Sequence, residues 1–539
     1  MAKRKTVRKS DKRPSTRKRA AAGRKRTVTR RTSTRRRAGA AAAPAIQGWP
    51  TDPMGGVPPL QLPVPAMPGA QLPTRIIAPA RAPAAQIHPL GTEGFRYWTA
   101  AEAMRRAASF WVAVGARAWH RDIGASIPVR LDDGVDLNAY YARNDFPPED
   151  IKQGLSFFHD TVRDVTTGRQ ITVFSGESPD VVAHEFGHAV LDSLKPALFE
   201  LASIEAAAFH ESFGDMSAIL TALQLPSVRQ AVLEETDGNL RRNSSVSRVA
   251  EQLGFAIRQR SPAAVDRDSL RNAANSFVYV DPLTLPSTGP ATQLTRAAHN
   301  FSRVFTGAFL EALGGMVARL AARPRVDDVE QASADMGRIL AQGATAAPVS
   351  TKFFQSVAEQ MVLVDANLFA GKYAEALTTA FVRRGLLPVR SLAAPEAVAA
   401  TPARAAAAAA RFSAAASGRA PRVAATDKPV EVAIDGAAVG LSVKTLYVNA
   451  PPVDDISAPA GSMMAGVAAR ETLVIPRVTD VQAFVEALIV RGRVALPAEA
   501  GRRRGLVASL SKARKHATHY LSTRADESLE LRRIAFECC

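Results

Sequence analysis

The segment His184-Glu185-Phe186-Gly187-His188 constrains the fold of this chain more than any other stretch of the sequence. On an α-helix, residues four positions apart lie on the same face, so His184 and His188 can offer imidazole nitrogens to one metal ion. Glu185 would then lie beside the metal and could take a proton from a metal-bound water. The alternative is that two histidines merely lie on an amphipathic helix, because short motifs also occur by chance.

A second helix is expected to complete the site, because a catalytic zinc ion usually has three protein ligands. The segment 203–220 has a helical pattern and carries Glu211 and Asp215 four residues apart. One carboxylate can reach the metal, while the other can bind the remaining ring nitrogen of a ligand histidine and fix its tautomer. Apolar Phe209 and Phe213 predict that this helix is buried, and buried carboxylates require a cation. The alternative is a solvated helical face.

The segment 180–192, followed by Glu211 and Asp215, resembles the thermolysin-like gluzincin zinc metallopeptidases, and the resemblance extends over about residues 92–390. Strand-like patterns before the motif and mostly helical patterns after Asp215 predict an α+β body with a mostly helical C-terminal half. The resemblance implies that this body is of the zincin type and acts on a protein or peptide substrate. It implies Glu185 as the general base and Asp215 as the carboxylate behind a ligand histidine. It also implies one Zn²⁺ per chain, held by three side chains: His184, His188 and Glu211.

Weaker matches to the family flank this core. Arg271, followed by Tyr279, has the spacing of the family's arginine that holds a substrate carbonyl. His299 falls where the family places the histidine that stabilises the transition state. Asn138 and Ala139 begin a segment that resembles the edge strand that pairs with an extended substrate. Taken alone, Arg271 could be a surface charge, His299 a helix-start or core histidine, and Asn138 a turn residue.

The positive charge of the chain is concentrated at its N-terminus. Residues 1–40 contain 18 Lys or Arg and one acid, whereas the remaining residues carry 51 basic and 49 acidic groups. With almost no large apolar residue, this segment is predicted to be a disordered tail that attracts nucleic acid or another polyanion. A solubilising tail without a partner is the alternative. The residues expected to bind a polyanion are Lys3, Arg4, Lys5, Arg17, Lys18, Arg19, Arg24, Lys25, Arg26, Arg35, Arg36 and Arg37.

These features support two hypotheses of different classes. The first is a zinc-dependent endopeptidase, favoured because the ligands, the base and the supporting carboxylate occur together. The second is a catalytically inactive zincin scaffold that binds nucleic acid or another polyanion through its tail. The second hypothesis also draws on Leu294, which stands where the family usually has an acid.

The location of the protein is predicted from what the sequence lacks. No apolar stretch has the length of a classical signal peptide or a transmembrane segment, which favours a cytoplasmic or other intracellular protein. The two cysteines, Cys538 and Cys539, are adjacent, which fits a reducing compartment. They could bind a metal, a lipid or another thiol, but an exposed end is expected.

Composition divides the chain into five predicted segments. Twelve prolines between 41 and 91 predict an extended spacer, and 18 alanines between 391 and 425 predict a second linker. The alternating pattern after this linker predicts a small α/β accessory unit. The segments are a polybasic tail at 1–40, a Pro/Ala-rich linker at 41–91, a metallopeptidase domain at 92–390, an Ala-rich linker at 391–426 and an accessory domain at 427–539.

Overall fold

The computed structural model of this chain describes residues 44–66, 71–389, 428–441, 443–452, 478–495, 517–526 and 528–538. The predicted tail, with the twelve basic residues expected to bind a polyanion, and the predicted linker at 391–426 lie outside the described residues. Within the described part, the chain is a mixed α/β protein with ten α-helices and several small sheets.

Short strands dominate the first part of the described chain, and helices dominate its middle. The described helices are α1 (Glu93–Ala113), α2 (Pro179–Leu194), α3 (Ile204–Ala222), α4 (Pro226–Thr236), α5 (Glu251–Arg260), α6 (Ala298–Leu320), α7 (Val326–Ala346), α8 (Phe353–Phe369), α9 (Ala374–Arg383) and α10 (Val478–Val490). The described strands are β1 (Ala45–Gly48), β2 (Leu60–Pro63), β3 (Thr74–Ala78), β4 (Ile127–Arg130), β5 (Ala139–Ala142), β6 (Gly154–Phe157), β7 (His159–Arg163), β8 (Gln170–Phe174), β9 (Arg248–Val249), β10 (Arg271–Asn272), β11 (Val430–Asp435), β12 (Thr445–Ala450), β13 (Val494–Ala495), β14 (His519–Thr523), β15 (Leu529–Arg533) and β16 (Ala535–Glu537).

A five-stranded sheet lies beside the helix that carries the histidine motif. Its strand order is β16-β5-β6-β4-β3, with β3, β4 and β6 parallel and β5 antiparallel to β6. The side chains of β5 and β6 are buried along their whole length, because one face packs on the main core with α2 and the other contacts Ala495 and Ala517 of the C-terminal part of the chain. The strand added at the edge of β5 comes from the end of the chain and pairs antiparallel with it.

Helices α2, α3 and α6 form the centre of the core. Helix α3 is buried from end to end, and it packs between α2 and α6. Large aromatic side chains fill the space around it, with Phe209 in edge-to-face contact with Phe305 at 5.1 Å and Phe353 at 5.2 Å. The polar residues on α3 are therefore enclosed by apolar side chains.

The segment 41–91, predicted as an extended spacer, is folded against the body where the structure describes it. Strands β1 and β2 pair antiparallel, and Ile46 is fully buried against Trp98 and Ala101 of α1. The Asp52 carboxylate accepts hydrogen bonds from the Ser178 hydroxyl at 2.7 Å and from the Gln252 backbone N–H at 2.9 Å. The spacer prediction is wrong here because most prolines lie between the short strands, where they interrupt no ladder.

The C-terminal unit forms a second five-stranded sheet, in the order β11-β12-β15-β14-β13, with α10 packed on it. It contacts the helical body at several points. The backbone N–H of Ala202 donates to the carbonyl oxygen of Asn449 at 2.7 Å, and Nε of Arg533 donates to the carbonyl oxygen of Phe199 at 2.7 Å. Strand β16 follows β15 directly and leads from this unit into the main sheet.

Among the helices that the structure describes, every one is too short or too polar to cross a membrane.

Candidate metal centre

Helix α2 carries the two histidines of the motif. The Ser178 hydroxyl caps the helix by accepting the backbone N–H of Val181 at 3.4 Å, and Pro179 occupies the first turn. His184 and His188 lie one turn apart, both fully buried, with ring centroids separated by 4.7 Å. The helix therefore holds both imidazoles on one buried face.

Helices α2 and α3 approach closely because glycine lies at their contact. A Cβ atom on Gly214 would be 2.5 Å from Cε1 of His184, and one on Gly187 would be 2.7 Å from Cβ of Ser217. The Ser217 hydroxyl donates to the backbone carbonyl of Ala183 at 2.8 Å, which links the two helices. The small residues at this crossing bring the carboxylates of α3 up to the histidines of α2.

Glu211 lies between the two histidines. Its Oε2 atom is 3.5 Å from Nε2 of His184, and its Oε1 atom is 3.8 Å from Nε2 of His188. Two ligands of a tetrahedral zinc ion, each about 2.1 Å from the metal, are separated by roughly 3.4 Å. His184, Glu185 and His188 also offer ligand atoms within 4.8 Å of one another. The separations of Glu211 from both histidines are close to this ligand spacing, which favours Glu211 as the third ligand.

Several buried atoms of this cluster have no hydrogen-bond partner among the described residues. They are Nε2 of His184, both ring nitrogens of His188, Oε2 of Glu211 and both carboxylate oxygens of Glu185. A buried polar atom left without a partner costs about 1–3 kcal/mol. One cation bound among these atoms would satisfy several of them together, and two imidazoles with a carboxylate suit zinc.

The two histidines differ in their protonation. Burial lowers the pKa of His188 to about 3, which leaves a neutral imidazole with a lone pair available for a metal. Burial also disfavours the charged form of His184, but the electrostatic effect of Cys538 and the hydrogen bonds to the carboxylates of Asp215 and Glu211 raise its pKa well above the usual range. Metal binding through His184 therefore requires that its proton be displaced.

Glu185 is fully buried next to the histidines. Burial raises the pKa of its carboxyl well above the usual range, in spite of the opposing effect of His184. A carboxylate of raised pKa accepts a proton more readily near neutral pH, as a general base must.

Asp215 joins His184 to Arg271. Its Oδ1 atom is 3.0 Å from Nδ1 of His184, and the Arg271 guanidinium donates to Oδ1 from Nη2 at 2.8 Å and to Oδ2 from Nε at 3.0 Å. Burial alone would raise the pKa of Asp215, but Arg271 and His184 outweigh it and lower that pKa. Asp215 thus contacts the ring nitrogen of His184 that does not face Glu211.

His299 and Arg271 both contact backbone carbonyls of the C-terminal segment. Nε2 of His299 lies 3.2 Å from Oε2 of Glu211 and donates to the carbonyl oxygen of Glu537 at 2.6 Å. Nη1 of Arg271 donates to the carbonyl oxygen of Cys538 at 2.7 Å. Arg271, expected to hold a substrate carbonyl, and His299, expected to stabilise the transition state, therefore bind carbonyls of this chain.

The C-terminal segment also occupies the edge of β5. The carbonyl oxygen of Ala139 accepts the backbone N–H of Cys538 at 2.9 Å. Asn138, expected to bind substrate, is buried, and its side-chain oxygen accepts the N–H of Ala139 at 2.9 Å. Ala139 thus faces an extended segment, whereas the Asn138 oxygen is engaged by the neighbouring backbone.

Sequence patterns alone did not assign the C-terminal segment or His210 to this site. Phe536 stacks on His210 with ring centroids 3.9 Å apart and on His188 at 5.0 Å. Cys538, expected at an exposed end, is buried, while Cys539 lies outside the described residues. The apolar run 534–536 was a signal of a buried strand, although no local pattern indicates its partner.

A scan against models of known protein families gave no match for this chain, and a search of curated proteins found no similar sequence.

Proposed function

We propose that this protein is a zinc-dependent endopeptidase with a zincin-type body. The observation that carries this proposal is the convergence of His184, His188 and Glu211, whose facing atoms are 3.5 and 3.8 Å apart and buried. A structural role for these groups is less consistent with their energetics, because unpaired imidazole and carboxylate atoms in a core are destabilising. Three ligands leave a fourth position on a tetrahedral ion for water or substrate.

The proposed chemistry divides between the metal and the residues around it. Zinc, when bound, supplies a Lewis acid that polarises a carbonyl and lowers the pKa of a water from 15.7 to about 7. Glu185 takes up the proton of the attacking water and delivers it to the leaving amine. Asp215, through its contact with Nδ1 of His184, holds that ring in the orientation and tautomer that ligation needs.

Arg271 supplies positive charge, and both Arg271 and His299 supply hydrogen-bond donors to the substrate backbone. Both already bind main-chain carbonyl oxygens, at 2.6 and 2.7 Å, so their donors can reach an extended segment on β5. Donors placed in advance around a developing oxyanion stabilise it more than water would. The edge of β5 positions the peptide through Ala139.

The test of this function is replacement of the proposed base, Glu185→Gln. Because the C-terminal segment lies in the cleft, the substitution is made both in the full chain and in a chain ending at Ile534. We expect one zinc per chain by elemental analysis in all proteins, and cleavage of a quenched peptide only where Glu185 is present. Glu234→Gln, at an exposed position on α4, is the matched control and should cleave normally. Cleavage that survives Glu185→Gln would contradict the mechanism.

A further inference from the structure

Strand β16 occupies the edge of the main sheet. It pairs antiparallel with β5, with Ala535 opposite Ala142 and Phe536 opposite Tyr141. Addition of an extended segment to a sheet edge is a common mode of peptide recognition, because main-chain hydrogen bonds give affinity and side-chain pockets give specificity. The segment 535–538 therefore binds as a peptide ligand would bind.

Three successive backbone groups of this segment engage the residues to which the proposed function assigns the substrate. The Glu537 carbonyl accepts from His299 at 2.6 Å, and the Cys538 carbonyl accepts from Arg271 at 2.7 Å. Between them, the Cys538 N–H donates to Ala139 at 2.9 Å. These contacts involve only the backbone of the segment, as expected for a site that accepts different peptides.

The side chains of the segment close the remaining space. Phe536 covers the ring of His210 at 3.9 Å, and Cys538 is fully buried. The cavity lined by Glu211, His299 and Phe536 has a volume of about 50 Å³. Since one water occupies roughly 10–15 Å³ on this measure, the cavity holds a few waters and excludes a peptide.

The C-terminal unit anchors the segment from both sides. Buried Glu537 forms an ion pair with partly buried Arg493, which precedes β13. Arg533, at the end of β15, donates to the carbonyl of Phe199 at 2.7 Å and lies over the Phe536 ring at 4.1 Å. The strand is therefore held at the cleft by a folded unit that also contacts the body.

We propose that the segment 535–538 is a built-in inhibitory strand, which closes the metal centre in the manner of a bound peptide until it is displaced. This inference rests on the proposed peptidase function. A tethered ligand reaches an effective concentration of about 1 mM. If the free segment bound with a Kd near 0.1 mM, about one molecule in ten would be open, and the closed chain would be roughly tenfold less active.

The first experiment measures occupancy of the cleft independently of turnover. The probe is a fluorescein-labelled peptide of residues 535–539, and the proteins are the zinc-loaded full chain and the chain ending at Ile534, both with Glu185→Gln. We expect fluorescence anisotropy to show binding to the shortened chain and at least about tenfold weaker binding to the full chain. Equal binding to both chains, or binding to neither, would overturn the inhibitory strand.

The second experiment measures cleavage of a quenched peptide with Glu185 intact. We expect the shortened chain to be about tenfold faster than the full chain. Phe536→Ala keeps the full chain but removes the stacking on His210, and it should raise the rate in the same direction. Phe146→Ala is the matched control for Phe536→Ala. The ring centroid of Phe146 lies 4.5 Å from that of Tyr520 in the C-terminal unit, and Phe146 does not line the cleft.

The outcomes distinguish failure of the proposed inhibitory strand from failure of the proposed peptidase function. Equal cleavage by the full chain and the chain ending at Ile534 would overturn the inhibitory strand and leave the peptidase standing. Selective probe binding by the shortened chain, with no cleavage by either chain, would overturn the peptidase and support only the occupancy of the cleft by the strand. The intact mass of the full chain is recorded after zinc loading. Loss of its last two residues would show that the segment 535–538 is a substrate of the site and would overturn its role as an inhibitor.

Discussion

At the scale of the residue, the carboxylate of Asp215 has two partners. It contacts Nδ1 of His184 at 3.0 Å and holds the buried guanidinium of Arg271. One substitution at this position should therefore alter both the metal site and the stability of the core. The sequence spacing predicts Asp215 near a histidine, but it contains no indication of the shared arginine, because that contact joins α3 to a strand 56 residues away.

We expect Asp215→Asn to weaken zinc binding by about 10–100-fold, since an amide no longer fixes the His184 ring as a carboxylate does. It should also reduce the free energy of unfolding by about 3 kcal/mol, because Arg271 loses its buried counter-charge. Chelator competition measures the first effect and urea unfolding of the metal-free protein measures the second.

Asp335→Asn is the matched control for this prediction. Asp335 is also buried and pairs with Arg338 at 3.1 Å in α7. Its replacement should lower stability and leave zinc affinity unchanged. Unchanged zinc affinity in Asp215→Asn as well would refute the role assigned to Asp215.

At the scale of the element, the crossing of α2 and α3 sets the spacing of the proposed ligands. We expect Gly214→Ala to push the helices apart, because the added Cβ would meet Cε1 of His184 at 2.5 Å. Overpacking of this kind costs about 1–3 kcal/mol, and the displaced histidine should bind zinc more weakly. Thermal unfolding and zinc titration measure the two effects.

Gly371→Ala is the comparison for this substitution. Gly371 has a φ of +75°, and nothing lies within 4 Å of an added Cβ. The variant should lose about 1 kcal/mol through backbone strain and bind zinc normally. If Gly214→Ala binds zinc as tightly as Gly371→Ala does, the spacing of the helices is not what positions His184.

The first turn of α3 carries a carboxyl that should make stability depend on pH. Glu205 accepts hydrogen bonds from the Tyr279 hydroxyl at 2.7 Å and the Phe354 N–H at 2.8 Å, yet burial raises its pKa from 4.5 to about 7. The folded protein thus binds more protons than the unfolded chain between these values. Stability should therefore fall as pH rises from 4.5 to about 7 and then level off.

Glu205→Gln should remove this loss of stability with rising pH. Relative to the wild type, the variant should gain up to about 3 kcal/mol of stability between pH 4.5 and pH 8, since each pKa unit corresponds to about 1.4 kcal/mol. Urea unfolding at several pH values measures it, with Glu234→Gln at an exposed position as the control. Parallel pH curves for the wild type and Glu205→Gln would contradict the prediction.

At the scale of the whole molecule, sequence patterns predict the helices well and the long-range pairings poorly. The periodicity around α2 and α3 is local, and the helical segment expected at 203–220 coincides with α3. The pairing of β16 with β5 joins residues almost four hundred positions apart, and no local signal encodes it. The sequence pattern around β1 likewise does not predict a folded strand, because Ile46 of β1 is buried against Trp98 of α1, which is distant in the sequence.

The polybasic tail provides a prediction for the complete chain. Deletion of residues 1–40 should remove most of the affinity for double-stranded DNA and flatten its dependence on salt, because bound phosphates release counterions. Binding of the full and shortened chains across a salt series measures this effect. A chain in which the basic residues of 1–40 are replaced by Gln keeps the length and should behave like the deletion. Unchanged affinity after deletion would exclude the tail as the binding segment.

During synthesis, the residues of the proposed metal centre are translated before the strand that covers them. His299, the last of the proposed catalytic residues, emerges more than two hundred residues before β16. At about 5–20 residues per second, this interval lasts roughly 10–50 s on the ribosome. During this interval the nascent chain contains all the proposed metal ligands, whereas the strand that pairs with the edge of β5 has not yet been made. We expect zinc to enter the proposed site during this interval, and a chain whose translation stops before residue 535 to keep that site permanently uncovered.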